Sequence, residues 1–470
     1  MKPAFALVLT ALLLGGCVPA RQPAPTAAQV EPPSAWRVGL AGEVAVDPSW
    51  WALFGDPALG ALERRALAAN SDLAIAVARV QEARANERLA RAQLFPTLDA
   101  GLGATRSRSL GALGSPVEAT GVQPLFQASY EVDLFGRVAS QTAAARQATL
   151  ASAAQRDAVA LSLVSAVASG YITLRALDAR RDVLASTIAA RAEALRLARS
   201  RARAGDTSDL EYRQAQAEYE GTAQLLPAAD LAISRQENAL SVLLGDAPRG
   251  IERGSRLEEL RPPPVPAGLP ADVLRRRPDV AQAEYSLAAS DRSLDAARAQ
   301  FLPAVRLTGS TGLTLSTALT DPVGVWSLGA SILAPLFEGG RLTANVEGAA
   351  ARRDQAAFAY RRTALTAFRE VEDALAAVSR LSLQRDHLEA QRVAAAETLR
   401  HATNRYRAGY ASYLEQLDAQ RGLLGVDLSL VQLRADQLNA LVALYQAMGG
   451  GWMGPPDVTS AFPTHGDGRR

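Results

Sequence analysis

The chain has 470 residues, with 50 Lys and Arg against 48 Asp and Glu, which leaves a formal net charge of +2. Because the two signs are interspersed, the sequence has no basic patch of the kind that binds nucleic acid. The single cysteine excludes an internal disulfide, and the three histidines, His387, His401 and His465, form no ligand cluster with it. We therefore expect no nucleic-acid partner, no bound metal and no other cofactor.

The first 16 residues have the features of a secretory signal. Lys2 is followed by an apolar run over residues 4–14 and then by Gly15, Gly16 and Cys17. The run is too short to cross a bilayer as a helix, and small residues before a cleavage point are typical of exported proteins. Residues 14–17 resemble the bacterial lipobox, in which the cysteine is acylated and begins the mature chain. We predict lipidation of Cys17; an ordinary signal peptide with an incidental cysteine is the alternative.

The residues after Cys17 predict an anchored tether. Val18 stands where an aspartate is associated with retention in the inner membrane, and this favours the outer membrane. Residues 19–33 are rich in Pro, Ala and Gln, a composition typical of extended linkers. We therefore predict that residues 17–49 form a lipidated tether.

The body of the chain contains one unit twice. Residues 203–211 (Arg-Ala-Gly-Asp-Thr-Ser-Asp-Leu-Glu) reappear as residues 407–415 (Arg-Ala-Gly-Tyr-Ala-Ser-Tyr-Leu-Glu), at an offset of 204 positions. A repeat of this period indicates two copies of one structural unit. We divide the chain into a first repeat (50–249), a linker (250–270), a second repeat (271–452) and a disordered tail (453–470).

Each repeat is predicted to begin with a helix and to continue with two strands. Asp56 and Pro57 open the first helix, which we expect to reach residue 94, and its counterpart begins near residue 278. Apolar and polar residues then alternate in four segments, at residues 98–105, 127–134, 305–316 and 326–336. The strands of each pair are separated by loops predicted at residues 111–124 and 316–324.

Alternation with a period of two is typical of transmembrane barrel strands, and equally of a soluble sheet with one buried face. Four strands cannot close a barrel, and an open sheet edge cannot face lipid. If these strands lie in a membrane, the chain must oligomerise, and three chains would supply twelve strands.

A long helical hairpin is predicted to follow each strand pair. Residues 138–204 and 342–408 form helix-favouring runs, each of about 100 Å at 1.5 Å per residue. Gly205 and Gly409 can end these helices in the left-handed conformation, and Ser208 and Ser412 can cap the returning helices. The fold class is therefore mainly helical, with coiled-coil hairpins and four strands that belong either to a membrane barrel or to a soluble sheet.

Four segments carry a resemblance to a known family. They are residues 274–284 (Leu-Arg-Arg-Arg-Pro-Asp-Val-Ala-Gln-Ala-Glu), 296–303 (Ala-Ala-Arg-Ala-Gln-Phe-Leu-Pro), 335–341 (Pro-Leu-Phe-Glu-Gly-Gly-Arg) and 417–421 (Leu-Asp-Ala-Gln-Arg). Together with the lipobox and the repeats, the chain resembles TolC-like outer-membrane efflux factors. The similarity is greatest to the lipoprotein (NodT-type) branch that serves RND-type drug efflux pumps.

The resemblance implies a passive exit duct for drugs and small toxic compounds. It implies a homotrimer with a twelve-stranded barrel in the outer-membrane lipid and a helical tunnel in the periplasm. A periplasmic adaptor and an inner-membrane RND-type pump would complete the exporter. No enzymatic motif is present, so we expect no catalysis. Two alternatives are an outlet for an ABC-driven (type I) secretion system and a structural coiled-coil surface lipoprotein.

The resemblance also implies site residues. Leu414, Asp418 and Arg421 follow the second tip at helical spacing i, i+4, i+7 on one face. The matching family positions line the periplasmic constriction, so we expect a gate in which Asp418 and Arg421 pair. An ordinary surface ion pair is the alternative. Gly205, Ser208, Gly409 and Ser412 are expected to form the turns that meet the adaptor.

Overall fold

The computed structural model describes residue 20 and residues 23–38, 46–110, 114–266 and 268–454. Cys17 and the signal segment 1–16 lie outside the described residues, as does most of the tail predicted at 453–470. The lipidation of Cys17 and the disorder of that tail therefore remain predictions.

Helices and strands follow one another in the same order twice along the described chain. The first series comprises α1 (Pro57–Ala69), α2 (Ser71–Ala92), β1 (Thr97–Leu110), β2 (Pro116–Val132), α3 (Arg137–Ala204), α4 (Asp209–Ala223) and α5 (Leu225–Leu243). The second series comprises α6 (Pro270–Arg276), α7 (Pro278–Ala299), β3 (Ala304–Ser316), β4 (Val323–Leu333), α8 (Arg341–Arg407) and α9 (Tyr413–Ala447).

The chain forms two compact units, and each draws on both repeats. The first contains Met1–Gln29, Ala78–Ala153 and Gln282–Arg362, and therefore all four strands. The second contains Val30–Val77, Ala154–Ala281 and Thr363–Arg470, and therefore both hairpin tips.

The first unit contains an antiparallel sheet in the order β1-β2-β3-β4. The β2 strand begins at Pro116, so the loop predicted at residues 111–124 was wrong in its extent. Proline is rare in a central strand because it cannot donate to the ladder. Here Pro124 is opposite Leu102 of β1, and on the β3 side Gly312 comes so close that a Cβ there would lie 2.2 Å from the Pro124 carbonyl oxygen. The close approach of β3 to the Pro124 backbone thus requires a glycine at position 312.

The two long helices confirm the predicted limits to within one residue. The α3 helix has 68 residues and α8 has 67. Among the described helices, α3 alone contains a stretch apolar enough for a membrane span, with a mean hydropathy of 1.5 and 44% of that stretch buried. Leu163, Val167 and Ile172 of α3 lie in the apolar core of the second unit, which accounts for this composition.

Two predicted helices are interrupted. The helix predicted from Pro57 to residue 94 is broken at Asn70, which is extended and whose side chain accepts a hydrogen bond from Leu73 N (3.0 Å) and donates one to Leu243 O (2.9 Å). The return helix of the first hairpin is interrupted at Gln224 because Pro227, three residues later, has no N–H to donate to Ala223. The return helix of the second hairpin, α9, is continuous.

The core of the second unit is built around Trp50, which is fully buried and stacked on Tyr445 with ring centroids 5.4 Å apart.

Asp56 caps α1 by accepting a hydrogen bond from Ala58 N (2.8 Å), as predicted, and also accepts one from the Tyr171 hydroxyl (2.7 Å). The glycine run after α9 is required by packing, since a Cβ on Gly449 would lie 2.0 Å from the Arg276 carbonyl oxygen.

The described part of the tether is not a free linker. In the first unit, Arg361 Nη1 donates to the carbonyl oxygens of Ala27 (2.7 Å) and Gln29 (2.6 Å). In the second unit, Trp36 Nε1 donates to Gly268 O (2.7 Å), and its ring meets Phe368 edge-on at 6.4 Å. The prediction of an extended segment was therefore incomplete, because residues 23–38 are bound along other parts of the chain.

Candidate functional site

The two hairpin tips end their long helices in the same way. Gly205 has φ 80° and Gly409 has φ 77°, the left-handed conformation that favours glycine. At the first tip, the Asp206 N–H donates to Arg201 O (2.9 Å). At the second, the Tyr410 N–H donates to Arg405 O (2.9 Å). Both ends are Schellman motifs, which satisfy the last free carbonyl groups of a helix.

The caps of the return helices differ. The Ser208 hydroxyl accepts from the Glu211 N–H at 3.4 Å, so the predicted cap is present at the first tip. Ser412 occupies the equivalent N-cap position, but its side chain makes no capping hydrogen bond. The prediction of a side-chain cap at Ser412 is therefore wrong. The second turn lacks the capping hydrogen bond that stabilises the first.

The three predicted gate residues lie at the start of α9. Leu414 is 54% exposed, and Asp418 and Arg421 are also exposed. Tyr413 and Leu417 on the other side of this helix are buried in a small apolar cluster with Ala198 and Ala215. One face of α9 therefore packs against α3 and α4, and the face with the predicted gate residues is exposed to solvent.

Arg421 does not pair with Asp418, contrary to our prediction. Its Nε lies 2.8 Å from Oε1 of Glu218 on α4, and its Nη2 also contacts that oxygen. The Glu218 side chain is only 12% exposed, so it offers a partly desolvated carboxylate, to which a guanidinium binds more strongly than to a solvated one. The sequence contains no sign of this pair, because nothing in it places α4 beside α9.

Glu218 also binds a second cation. Arg191 Nη1 on α3 lies 2.8 Å from Oε2 of Glu218, and the Arg191 side chain is buried. Burial lowers the pKa of Arg191, while the charge of Glu218 opposes that shift. The hydrogen bond to Glu218 raises the pKa of Arg421. One carboxylate therefore joins α3, α4 and α9 through two arginines.

Asp418 is placed differently. Among the described residues it makes no ion pair and no side-chain hydrogen bond, and it lies in a surface depression beside Arg405, Glu415 and His401. Arg405 is already paired with Glu415, with Nε 3.1 Å from Oε1. Asp418 therefore keeps a solvated negative charge on the open face of α9.

A second contact that sequence reasoning missed ties the tips together. The Tyr406 hydroxyl donates to Glu211, which also accepts from Thr207. The Tyr406 ring lies 5.6 Å from that of Tyr413, and Arg201 stands 5.9 Å from its centre. The repeat motif contains Glu211, but only the packing of the two hairpins shows its partner.

The sheet of the first unit has one apolar and one polar face. Leu102, Trp326, Leu328 and Ile332 are exposed by 73–82% although they are large and apolar. On the opposite face, Ser310 and Ser327 share a hydrogen bond of 2.8 Å, and Gln123 donates to Thr314 at 2.9 Å. The outer edges of β1 and β4 have no strand partner in the described chain. Such a sheet is unstable by itself in water. It becomes stable when lipid covers its apolar face and further strands pair with its outer edges.

The described residues show no metal centre. They contain no group of three or more His, Cys, Asp or Glu side chains placed to hold a metal ion. The charged clusters at the tips are ion pairs between helices.

Comparison with known proteins agrees with these features. The model of the outer membrane efflux protein family matches residues 62–246 and 269–450. The chain is 35% identical to the probable efflux pump outer membrane protein TtgC of Pseudomonas putida, over 96% of each chain. It is 34% identical to the pyoverdine export outer membrane protein OpmQ of Pseudomonas aeruginosa, over 95% of this chain and 97% of OpmQ. The open state of the Neisseria gonorrhoeae MtrE outer membrane channel superposes with a TM-score of 0.81 at 31% identity, covering 92% of this chain and 98% of MtrE.

Proposed function

Because the chain belongs to the outer membrane efflux protein family, we propose that it forms the outer-membrane exit duct of a tripartite pump for small organic compounds. The observation that carries this proposal is the four-stranded sheet with an exposed apolar face and two unpaired edges. Within the same chain, two helices each extend for about 100 Å, a length suited to crossing the periplasm.

The open sheet edges require partner strands, which a homotrimer would supply. Each unpaired backbone group costs several kcal/mol in hydrocarbon, so a single sheet cannot remain open in the membrane. Three chains place twelve strands in a ring, with β4 of each next to β1 of another. The polar face with Gln123, Thr314 and Ser327 then lines the interior, and the apolar face meets lipid.

The cargo is small and mainly organic. The names of similar proteins mention toluene, antibiotics and pyoverdine as exported compounds. The duct supplies no energy itself, so a periplasmic adaptor and an inner-membrane RND-type pump drive transport. Acylation of Cys17 anchors the chain to the inner leaflet of the outer membrane.

The tips carry the gate and the docking surface. Leu414 and Asp418 from three chains form an apolar and acidic constriction, while Arg421 holds the start of α9 against Glu218. The turns formed by Gly205, Ser208, Gly409 and Ser412 bind the adaptor. Docking separates α9 from α4 and opens the mouth, which is a shift between two states.

The experiment is complementation in a Gram-negative strain that lacks its own outer-membrane efflux channels. The gene is expressed with and without a periplasmic adaptor and an RND-type pump, and resistance to toluene and to antibiotics is measured. We expect resistance to return only when all three components are present, and the purified protein to have the native mass of a trimer. A folded monomer in the membrane, or restored protein secretion without restored resistance, would contradict the proposal.

A further inference from the structure

The apolar face of the β1–β2 hairpin becomes charged near the hairpin end. Along β1, alternate residues on this face are Leu98, Ala100, Leu102 and Ala104, and the next two are Arg106 and Arg108. Successive side chains of a strand point to opposite faces, so the two arginines share the face that meets lipid.

The strand register places an acidic residue with them. Arg108 is directly opposite Glu118 on β2, and Arg106 is opposite Thr120. Below them, Ala104 is opposite Val122, and above them the hairpin ends with Leu110 opposite Pro116. The change from apolar to charged residues therefore occurs at the same level on both strands.

The apolar band below the arginines has the height of a membrane. On β2 it extends from Val132 to Val122, both ends of which lie on the apolar face. Ten residues at about 3.4 Å each extend for ~34 Å, and a tilt of about 45° reduces this to a height of roughly 24 Å. Outer-membrane barrels have an apolar band of about 25 Å, so Arg106 and Arg108 lie just beyond the hydrocarbon.

The hairpin end faces the cell exterior. The α3 helix leaves β2 at its opposite end, after Val132, and α2 enters β1 at Thr97. Because the long helices of an outer-membrane duct lie in the periplasm, the arginines are at the level of the outer-leaflet headgroups. This step uses the orientation of the proposed duct but does not depend on export.

The cluster has an excess of positive charge and free donors. Arg106 Nη2 lies 3.3 Å from Oε2 of Glu118, and Arg108 Nη1 lies 3.8 Å from Oε1. The arginine side chains are 77% and 68% exposed. Each contact uses one nitrogen of a guanidinium that has five donor hydrogens, so most of the donors remain available. Two cations and one carboxylate leave a net charge of +1.

We propose that Arg106 and Arg108 bind the phosphate groups of the glycolipid that forms the outer leaflet, lipid A. Guanidinium groups bind phosphate through paired, charge-assisted hydrogen bonds. Strand alternation alone places the two arginines on the lipid-facing side, so that they meet a headgroup directly above the apolar band, and Glu118 competes with that headgroup for their donors. The site would fix the height of the barrel in the membrane and its lipid neighbours.

The test is native mass spectrometry of purified trimers incubated with diphosphorylated lipid A, with dephosphorylated lipid A or with inorganic phosphate. The test variant is Arg106→Gln with Arg108→Gln. Arg306→Gln is the matched control, because Arg306 is on the opposite face, across from Glu131. Glu118→Gln retains both arginines and removes the competing carboxylate.

We expect the wild type and Arg306→Gln to bind diphosphorylated lipid A with equal affinity. The double variant should bind it at least about tenfold more weakly, as expected when hydrogen bonds to a charged group are lost. Glu118→Gln should bind as tightly as the wild type or more tightly. Dephosphorylated lipid A should bind all four proteins alike, and excess inorganic phosphate should not displace lipid A completely.

Three results would overturn the proposal. The first is unchanged affinity in the double variant, and the second is an equal loss in Arg306→Gln. The third is a trimer that dissociates in detergent while each remaining trimer still binds lipid A, which would show that the arginines join subunits. If the double variant does not assemble, weaker lipid A binding by Glu118→Gln would also contradict the proposal. None of these measurements requires export.

Discussion

The Nε atom of Arg421 lies 2.8 Å from Oε1 of Glu218, a residue on the return helix of the other hairpin. The second oxygen of the same carboxylate accepts from Arg191 Nη1 at 2.8 Å. The two pairs differ in exposure, since the Arg421 side chain is 53% exposed and that of Arg191 is 8% exposed. The exposed pair can break without disturbing the core, whereas the buried pair cannot.

This difference gives a prediction for the gate. Arg421→Gln should release the start of α9 from α4 at a cost of about 0.5–1 kcal/mol per chain, the range for exposed pairs. We expect the isolated trimer to spend more time open in planar bilayers, with a melting temperature lowered by a few degrees at most. Gln214→Ala, at the position of the first hairpin that corresponds to Asp418, should behave like the wild type.

The salt dependence of the open fraction tests whether the Arg421–Glu218 ion pair holds the mouth closed. Salt at about 1 M reduces the screening length to about 3 Å, so the open fractions of the wild type and Arg421→Gln should converge. Equal open fractions at low salt would remove Arg421 from the gate. Glu218→Gln should have a larger effect than Arg421→Gln, because it also leaves the buried Arg191 without its charged partner.

Asp418 has a separate prediction. Arg421 is bound to Glu218, so three Asp418 carboxylates at the mouth would form an acidic ring that attracts cations. Asp418→Asn should therefore reduce the cation selectivity of the isolated trimer, measured as the reversal potential in a salt gradient. Glu389→Gln, on the exposed surface of α8, is the control. An unchanged reversal potential in Asp418→Asn would place the residue outside the constriction.

Gly409 is the position for testing adaptor docking. Its φ of 77° is unfavourable for a β-branched residue, so Gly409→Val should strain the turn by about 1 kcal/mol or more. Because the Ser412 side chain makes no capping hydrogen bond, little holds the turn in place against this strain, and we expect the loop to change shape. We expect reduced cross-linking to the adaptor and reduced resistance, with a trimer of normal mass. Gly425→Ala in the middle of α9 should retain both, since a Cβ there contacts nothing.

Sequence patterns predicted the long elements and missed the contacts between them. The limits of α3 and α8 were correct because Gly136, Gly205 and Gly409 mark helix ends by a local rule that needs no partner. The strand faces followed from alternation. The Arg421–Glu218 pair spans 203 positions and depends on which helices are neighbours, and local patterns carry no such information.

The same reasoning explains two further errors. Pro124 was placed in a loop because residues 111–124 are rich in Gly, Pro and Ser, whereas in the structure it lies within β2, opposite Leu102 of β1. The composition of residues 19–33 predicted an extended tether, but Arg361 donates hydrogen bonds to its backbone at Ala27 and Gln29. Composition describes how a segment behaves alone, and these contacts depend on the folded chain.

Lipidation of Cys17 is testable directly. The mature chain should begin at Cys17 and carry acyl groups, which intact-mass spectrometry of the purified protein would detect. Cys17→Ser should remove the acyl mass and weaken anchoring, yet the barrel should still insert because a closed barrel is held far more firmly than acyl chains. An unmodified terminus at another residue would refute the prediction.

Glu63 on α1 gives a prediction for pH-dependent stability. Its side chain is fully buried, and neither carboxylate oxygen has a hydrogen-bond partner in the described part of the chain. Burial raises its pKa to about 9. At neutral pH the folded chain therefore holds a proton that the unfolded chain has released. Stability from this group is complete below the unfolded pKa, near 4.5, and is lost as pH rises towards 9.

Glu63→Gln should remove this dependence, because an amide does not titrate. Each pH unit between the two pKa values changes the free energy of unfolding by about 1.4 kcal/mol, so two units correspond to ~2–3 kcal/mol per chain. The melting temperature of the helical signal, recorded from pH 5 to pH 8, should fall more steeply for the wild type than for the variant. Glu82→Gln, an exposed control on α2, should retain the wild-type slope. If Glu63→Gln also retains it, the carboxyl group is ionised in the folded chain and its charge is balanced in some other way.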